Sequence, residues 1–365
     1  VVEKAHALVL ESPRRLTKHS FDIPKSSEAD AVVKVDACGL CGTDHEQYTG
    51  AFPASSAFIP GHETVGTIID IGPKAKEKWG VKEGDRIALE VFQSCGNCQA
   101  CLAGNYRNCE KHGVMDMYGY ISIDKPPSLW GGYATHQYLS ADSIVHQVPA
   151  DLDPVIATLF NPLGAGFRWA VSVPSLKKDE IVAILGPGIR GLACLIAAKE
   201  AGASFVIVTG FGDKDADRLR TAKNFGADLA IDVSKEDPVK ILRNATSGHM
   251  ADVVVDVTAK APSALAQAIE LAGFGGRVVL AGTKLSSDTP GFWPDAIIYK
   301  ELTVLGALGV DSPAYAKAIE TLSKGRYPFE SLSRQVANLD TAEQLIIQMA
   351  GESNAVPPQH GVIVP

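Results

Sequence analysis

The chain has 365 residues, 46% hydrophobic and 21% charged. That length suits two domains of ordinary size, each with enough apolar material for a core, which excludes disorder as the main description. Lys and Arg number 34 against 42 Asp and Glu, a formal charge of −8, so a nucleic acid finds no basic face to bind.

The N-terminal residues Val1-Val2-Glu3-Lys4-Ala5-His6 show no basic stretch followed by an apolar run, and no secretory signal is expected. Seven cysteines, four of them crowded into residues 95–109, do not suit a secreted disulfide framework. The expectation is a cytoplasmic, metal-using enzyme. Up to about residue 150 the chain reads as β-rich and loop-rich, with short strands at 31–35, 64–71 and 86–91. Pro53, Pro60, Pro73, Pro126 and Pro127 exclude long helices there. From about residue 152 the rhythm changes. Apolar strands at 181–185, 205–209, 229–233, 252–257 and 277–281 are expected, with helices at 192–201, 218–225 and 263–272 and a last strand at 302–308. Continuous apolar strands alternating with helices predict a parallel sheet covered on both faces. The longest apolar stretch, Ile181 to Ala198, is broken by Gly186, Pro187, Gly188, Arg190 and Gly191 and is not a membrane span. Near the end, Gly361-Val362-Ile363-Val364 is placed to return as a strand to the first domain.

Gly186-Pro187-Gly188-Ile189-Arg190-Gly191 fits G-x-G-x-x-G between a strand and a helix. The first Gly makes the tight turn, the second lets the backbone approach a pyrophosphate, and the third lets helix pack on strand. Arg190 stands where it could add a charge to the pyrophosphate or remain a solvated helix residue. The acidic residue expected about 20 positions on is replaced by Gly210. Its loss argues for NADP, whereas Asp213, one of three Asp set against Lys214 and Arg218, could reach the ribose. The balance favours NAD.

Cys95-x2-Cys98-x2-Cys101-x7-Cys109 has the spacing of a closed four-thiolate zinc site, with Gly96 and Gly104 easing the turns. An iron–sulfur cluster is the chemical rival. Four filled positions leave no room for substrate, so this metal is expected to be structural. Upstream, Cys41, His62 and Glu63 offer a thiolate, an imidazole and a carboxylate, the mixed set of an open catalytic zinc. Asp44 could accept the second ring N–H of His62 and fix its tautomer.

The order Cys41-Gly42-Thr43-Asp44, Gly61-His62-Glu63 with Gly66, Gly84-Asp85-Arg86, the four-Cys lobe, Gly131-Gly132-Tyr133-Ala134 and the glycine turn resembles the zinc-dependent medium-chain alcohol dehydrogenases. The likeness spans nearly the whole chain. It is closest to the threonine and polyol dehydrogenase branch, judged by Gly61-His62-Glu63 and Asn161-Pro162-Leu163. The resemblance implies an α/β fold: a Rossmann doubly wound parallel sheet (152–310) plus a β-rich GroES-like catalytic domain (1–151 with 311–365). It implies one structural zinc on the 95–109 lobe and one catalytic zinc on Cys41 and His62, with Glu63 as an exchangeable ligand. Thr43 takes the alcohol proton in this reading; otherwise it is a helix N-cap. Thr258, Gly282 and Leu308 fall where relatives contact ribose and nicotinamide, with Arg218 and Asp213 at the ribose edge. A homodimer or homotetramer through the Rossmann domains is implied, with 302–308 at the interface.

Two departures stand out. The family usually carries Cys, Glu or Asp where this chain has Asn161, a weak neutral donor that could leave the catalytic zinc loosely held. Many relatives also carry a relay His where this chain has Glu46, with His45 one earlier. Tyr48, Phe52, Phe92, Met115, Met117, Tyr118, Trp130, Phe160 and Trp293 favour a bulky or secondary alcohol if they line the pocket, and say nothing if they are core. The rivals are a zinc-free reductase of activated double bonds on the same scaffold and a non-catalytic cofactor-binding protein. No membrane partner is expected.

Overall fold

The computed structural model describes residues 3–284 and 288–365. The chain separates into two compact units, Val1–Asn161 with Ile319–Pro365, and Pro162–Ala318. Among the described residues no helix is long and apolar enough to cross a membrane.

The first unit opens with a hairpin, β1 (Lys4–Ser12) and β2 (Arg15–Asp22), whose tight turn places Arg14 in the left-handed region at φ 61°. The strands β3 (Ala31–Leu40), β4 (Glu63–Ile71), β5 (Arg86–Leu89), β6 (His136–Leu139) and β7 (Val145–Gln147) follow. The three strands expected from sequence are present; the hairpin, β6 and β7 were not foreseen. The chain contributes β14 (Arg334–Ala337) and β15 (His360–Ile363) to this unit after leaving the second one. The resulting sheet runs β14-β15-β3-β4-β5-β7, with β6 also pairing β3. As expected, the tail returns: β15 lies antiparallel to β3, pairing Gly361 with Leu40 and Val362 with Gly39. Apolar side chains of β1, β3 and the tail helix Ala342–Met349 share one core cluster, among them Val9, Leu40, Tyr133, Leu345 and Ile363.

The second unit carries β8 (Ile181–Leu185), β9 (Phe205–Gly210), β10 (Leu229–Asp232), β11 (Ala251–Asp256), β12 (Ala272–Leu280) and β13 (Thr303–Gly306). All five pairings are parallel, in the order β10-β9-β8-β11-β12-β13. This is the doubly wound α/β sheet foreseen from the alternation. From β8 the chain steps outward to β10, then returns to the other side of β8 as β11. Ligands of such sheets lie at the strand carboxyl ends where the order reverses. The first helix spans Ile189–Glu200 and begins three residues before its expected start, because Gly188 of the turn is itself the N-cap. A six-residue π-helical stretch, Phe167–Ser172, precedes the sheet.

Candidate functional site

The four-cysteine lobe is assembled locally. Gly96 and Gly104 take φ values of 74° and 75°, which bend the chain around a common point. The Cys101 N–H donates to Cys98 Sγ at 3.4 Å across the short helix Gln99–Leu102. All four sulfurs lie within 4.8 Å of one another, and Cys95 and Cys101 Sγ are 3.8 Å apart. A tetrahedron with metal–sulfur bonds of about 2.3 Å has edges of about 3.8 Å. Backbone donors gather on the sulfurs. Burial raises the Cys109 thiol, but N–H groups of Cys95, His112 and Lys111 outweigh it and bring it down to about 6. The donor set and spacing fit a tetrahedral zinc. None of the seven cysteines forms a disulfide. Sequence reasoning did not foresee His112, whose ring bridges Asp116 (Nδ1 to Oδ2, 2.6 Å) and Asp142 (Nε2 to Oδ2, 2.8 Å), tying the end of the lobe to the segment after β6.

The second constellation forms where β3 ends and β4 begins. Cys41 follows Leu40 and N-caps the helix Gly42–Thr49; Glu63 is the first residue of β4, preceded by His62. The β3–β4 register sets Gly39 opposite Glu63. A Cβ on Gly39 would lie 2.3 Å from Glu63 Oε2, so the absent side chain is the space the carboxylate occupies. Cys41 Sγ stands 3.2 Å from His62 Nε2, and one donor atom from each of Cys41, His62 and Glu63 lies within 4.8 Å of the others, all buried. Burial lowers the His62 pKa, yet Cys41, Asp44 and Glu63 together overcome it and push it up to about 10. A thiol and two carboxyl groups gather around one imidazole, and a zinc ion suits this sulfur, nitrogen and oxygen set.

Asp44 departs from expectation. Its Oδ2 accepts the Cys41 N–H at 2.8 Å, while Oδ1 stays 3.7 Å from His62 Nδ1, beyond hydrogen-bond range and without a hydrogen-bond partner. The carboxylate is committed to closing the helix start, so it acts on His62 through its field. Thr43 is the second residue of this helix; the cap is Cys41, which corrects the N-cap alternative. Asn161 is buried in the helix Phe160–Gly166. Of the relay candidates, His45 Nε2 lies 2.9 Å from Glu352 Oε1, and Arg14 grips the same carboxylate with bonds of 3.0 and 3.1 Å. A buried chain not foreseen from sequence anchors the segment before Asn161. Arg334 Nε donates to His360 Nδ1 (2.9 Å), and His360 Nε2 lies 2.9 Å from Thr158 Oγ1. The Thr158 hydroxyl donates onward to the Val155 carbonyl at 2.7 Å.

In the second unit the glycine turn divides its labour as expected. Gly186 has φ 104°; a Cβ on Gly188 would meet nothing within 4 Å; a Cβ on Gly191 would lie 1.8 Å from the Gly186 carbonyl oxygen. The first makes the turn, the second leaves an open approach at the helix start, and the third lets Ile189–Glu200 pack down. Arg190 places its guanidinium 5.7 Å from the Trp169 ring centroid, so it is not simply a solvated helix residue. Gly210 ends β9, where a Cβ would stand 2.9 Å from Pro187 Cγ and 3.0 Å from Asp215 Cβ. Packing against the turn requires glycine here. Asp213 is exposed and 3.0 Å from Lys235, which also pairs with Asp232 at 3.1 Å; Arg218 pairs with Asp215 at 3.2 Å. Thr258, Gly282 and Leu308 each lie two residues beyond the ends of β11, β12 and β13.

The aromatic set mostly belongs to cores. Tyr48, Phe92, Tyr118, Trp130 and Phe160 are buried. Tyr118 and Trp130 pack in one cluster with Ile87 and Leu139, and Tyr48 packs with Leu40 and Phe58 in another. Trp293 and Met115 are exposed. For the buried members this is the core-packing alternative, under which they say nothing of substrate size.

Residues 27–150 match the alcohol dehydrogenase GroES-like domain, and residues 191–324 match the zinc-binding dehydrogenase domain. The chain is 59% identical over 360 residues to a protein of Mycobacterium tuberculosis H37Rv described as a probable alcohol dehydrogenase, covering 98% of each. It is 30% identical to an erythritol/L-threitol dehydrogenase of Mycolicibacterium smegmatis, covering 91% of this chain and 90% of that one. A solved Sinorhizobium meliloti 1021 structure of the zinc-binding dehydrogenase type, bound to NADP, superimposes with a TM-score of 0.82 at 27% identity over the full length of both chains. With a GroES-like sheet bearing a mixed sulfur, nitrogen and oxygen donor set, a four-thiolate lobe and a doubly wound sheet with its glycine turn, the chain belongs to the zinc-dependent medium-chain alcohol dehydrogenase family.

Proposed function

We propose that this chain is a zinc-dependent, dinucleotide-linked alcohol dehydrogenase that interconverts a small-molecule alcohol and its carbonyl compound. The buried Cys41, His62 and Glu63 set carries this reading. A zinc-free double-bond reductase needs no such set of a thiol, an imidazole and a carboxylate brought together in the interior. A metal bound there supplies Lewis acidity to the substrate oxygen, and a bound nicotinamide dinucleotide exchanges the hydride.

The chain's own residues supply position and proton handling. Cys41 Sγ and His62 Nε2 would hold the metal, and Glu63, seated over Gly39, would be its displaceable ligand. Thr43 Oγ1 would accept the hydroxyl proton of the substrate as it releases its own towards solvent, while His45 is paired with Glu352. Asp44 adds negative charge beside His62 without touching the metal. Asn161 offers at most a neutral carboxamide oxygen, so two anionic ligands would balance a divalent ion and hold it less tightly than three would. The lobe of Cys95, Cys98, Cys101 and Cys109 would hold the second zinc with no position left for substrate.

The unit Pro162–Ala318 is the dinucleotide-binding domain in this reading, and the remainder is the catalytic domain. NAD is the preferred dinucleotide. Lys235 is already held by Asp213 and Asp232, Arg218 by Asp215 and Arg220 by Asp217, so a 2′-phosphate meets cations that carboxylates have neutralised. A homo-oligomer forms along β13. Among the described strands β13 pairs with β12 alone, and Val304, Leu308, Ile298 and Tyr299 around it expose apolar surface. The absence of disulfides supports a cytoplasmic location.

The test combines zinc content with reduction of NAD and of NADP across a panel of primary and secondary alcohols. Turnover with two zincs per chain, lost when one is removed, is expected. Turnover that survives loss of the Cys41 zinc would instead favour the double-bond reductase. Dinucleotide binding without turnover across the panel would favour a non-catalytic protein.

A further inference from the structure

The carboxyl ends of β11 and β12 carry an ion pair, buried on its aspartate side and partly exposed on its lysine side, that the reaction chemistry leaves unused. Asp256, the last residue of β11, has no exposed surface. Its Oδ1 accepts the Thr258 N–H at 2.9 Å and the Thr258 hydroxyl at 2.6 Å. Lys284 Nζ lies 3.1 Å from Oδ1 and 2.9 Å from Oδ2. The same ammonium donates to the Thr258 carbonyl at 2.5 Å and to its hydroxyl at 2.7 Å. An ammonium has three protons, and the aspartate and both Thr258 oxygens employ them all.

The knot sits where the strand order reverses. β11 is the neighbour of β8, and Thr258 lies against the first glycine of the turn: a Cβ on Gly186 would be 3.1 Å from Thr258 Cγ2. Gly282 approaches so closely that a Cβ there would stand 2.2 Å from the Thr258 carbonyl oxygen. A dinucleotide brings two phosphate charges to this end of the sheet. A buried carboxylate there, left uncancelled, would repel them through a low-dielectric medium. An apolar pair would serve packing at no desolvation cost. The charged pair does something an apolar one could not: it orients a hydroxyl and fixes local charge.

We propose that Lys284 is a positioning residue for the dinucleotide: it cancels Asp256 at the switch point and locks Thr258 against the Gly186 turn. The proposal rests on the reading of this unit as the dinucleotide-binding domain. The test is NADH affinity, followed by nucleotide fluorescence on full-length, zinc-loaded protein, with no turnover required. Lys284→Met is expected to weaken NADH binding by about tenfold or more, the loss of a charge-assisted contact. Lys284→Arg should retain most of the affinity, and Asp256→Asn/Lys284→Met should recover much of what Lys284→Met loses. A purely structural role would instead lower the melting temperature of Lys284→Met and leave the NADH affinity of its folded fraction unchanged. Wild-type affinity in Lys284→Met, or a double variant as weak as the single one, overturns the proposal. Should Lys284→Met fail to fold, the double variant decides, because it carries no unpaired carboxylate. Failure of the wild-type protein to bind NADH or NADPH overturns the domain reading itself, and this inference with it.

Discussion

The buried His360 makes stability depend on pH in a way that can be calculated. Its Nδ1 accepts from Arg334 and its Nε2 faces Thr158, so the imidazole is held neutral. Burial, reinforced by the Arg334 charge, depresses its pKa from 6.5 to about 3. The unfolded chain therefore binds a proton near pH 6.5 that the folded chain refuses until about pH 3. Stability from this residue is full above pH 6.5 and falls with the pH below it, by about 1.4 kcal/mol per unit. By pH 4.5 the loss reaches about 2.7 kcal/mol, a large share of a typical folding free energy. His360→Gln keeps a donor and an acceptor but does not titrate. Urea unfolding of both proteins between pH 7.5 and 4.5 isolates the effect, since every other carboxylate and zinc ligand contributes equally to each. The gap between wild type and variant should close, or reverse, by about 2.7 kcal/mol as the pH falls. A gap that stays constant across the range would refute a neutral, buried His360.

Other expectations follow from the site. Chelator challenge with a colorimetric zinc readout should release one equivalent quickly, together with activity, and the second slowly; a single release rate would remove the distinction drawn from Asn161. Gly39→Ala puts a methyl where Glu63 Oε2 lies, 2.3 Å away. It should lower both activity and zinc content towards one equivalent, whereas unchanged values would mean Glu63 has no part in the centre. Thr43→Val should cut kcat by about 10²–10⁴-fold, the usual worth of a positioned proton acceptor, with Thr43→Ser largely retaining it. A Val variant with normal kcat would assign the proton elsewhere. Cys109→Ser should lose the slow zinc and lower the melting temperature while the folded fraction still turns over alcohol; inactive but fully folded protein would contradict a structural lobe.

What was legible in the sequence was local in the chain. Cys95 to Cys109 and Gly186 to Gly191 declare themselves because the spacing is itself the geometry. Gly210 was legible as a missing carboxylate, but its reason was not: only the fold shows that Pro187 and Asp215 exclude a side chain there. The helix starting at Ile189 was placed late because its cap is a glycine, not a Ser or Asp. The β1–β2 hairpin escaped notice because Arg14, not the usual Asn or Gly, takes its left-handed turn position. Composition alone left the aromatic residues divided between pocket wall and core, and the fold places Tyr48, Tyr118 and Trp130 in the cores. Thr158 and His360, 202 positions apart, had no signal at all. The Lys284–Asp256 knot likewise joins two strand ends that only the sheet order makes neighbours.

The pairing of β15 with β3 has a consequence for biosynthesis. Val362 lies beside Gly39, the residue whose empty side-chain position seats Glu63. A ribosome delivers residues 360–363 only after the whole nucleotide-binding unit has emerged. The four-cysteine lobe, with ligands confined to fifteen residues, is free to capture its ion on the nascent chain. The set of Cys41, His62 and Glu63 gains the strand behind it only once the tail docks, so the two donor sets mature at different stages of synthesis.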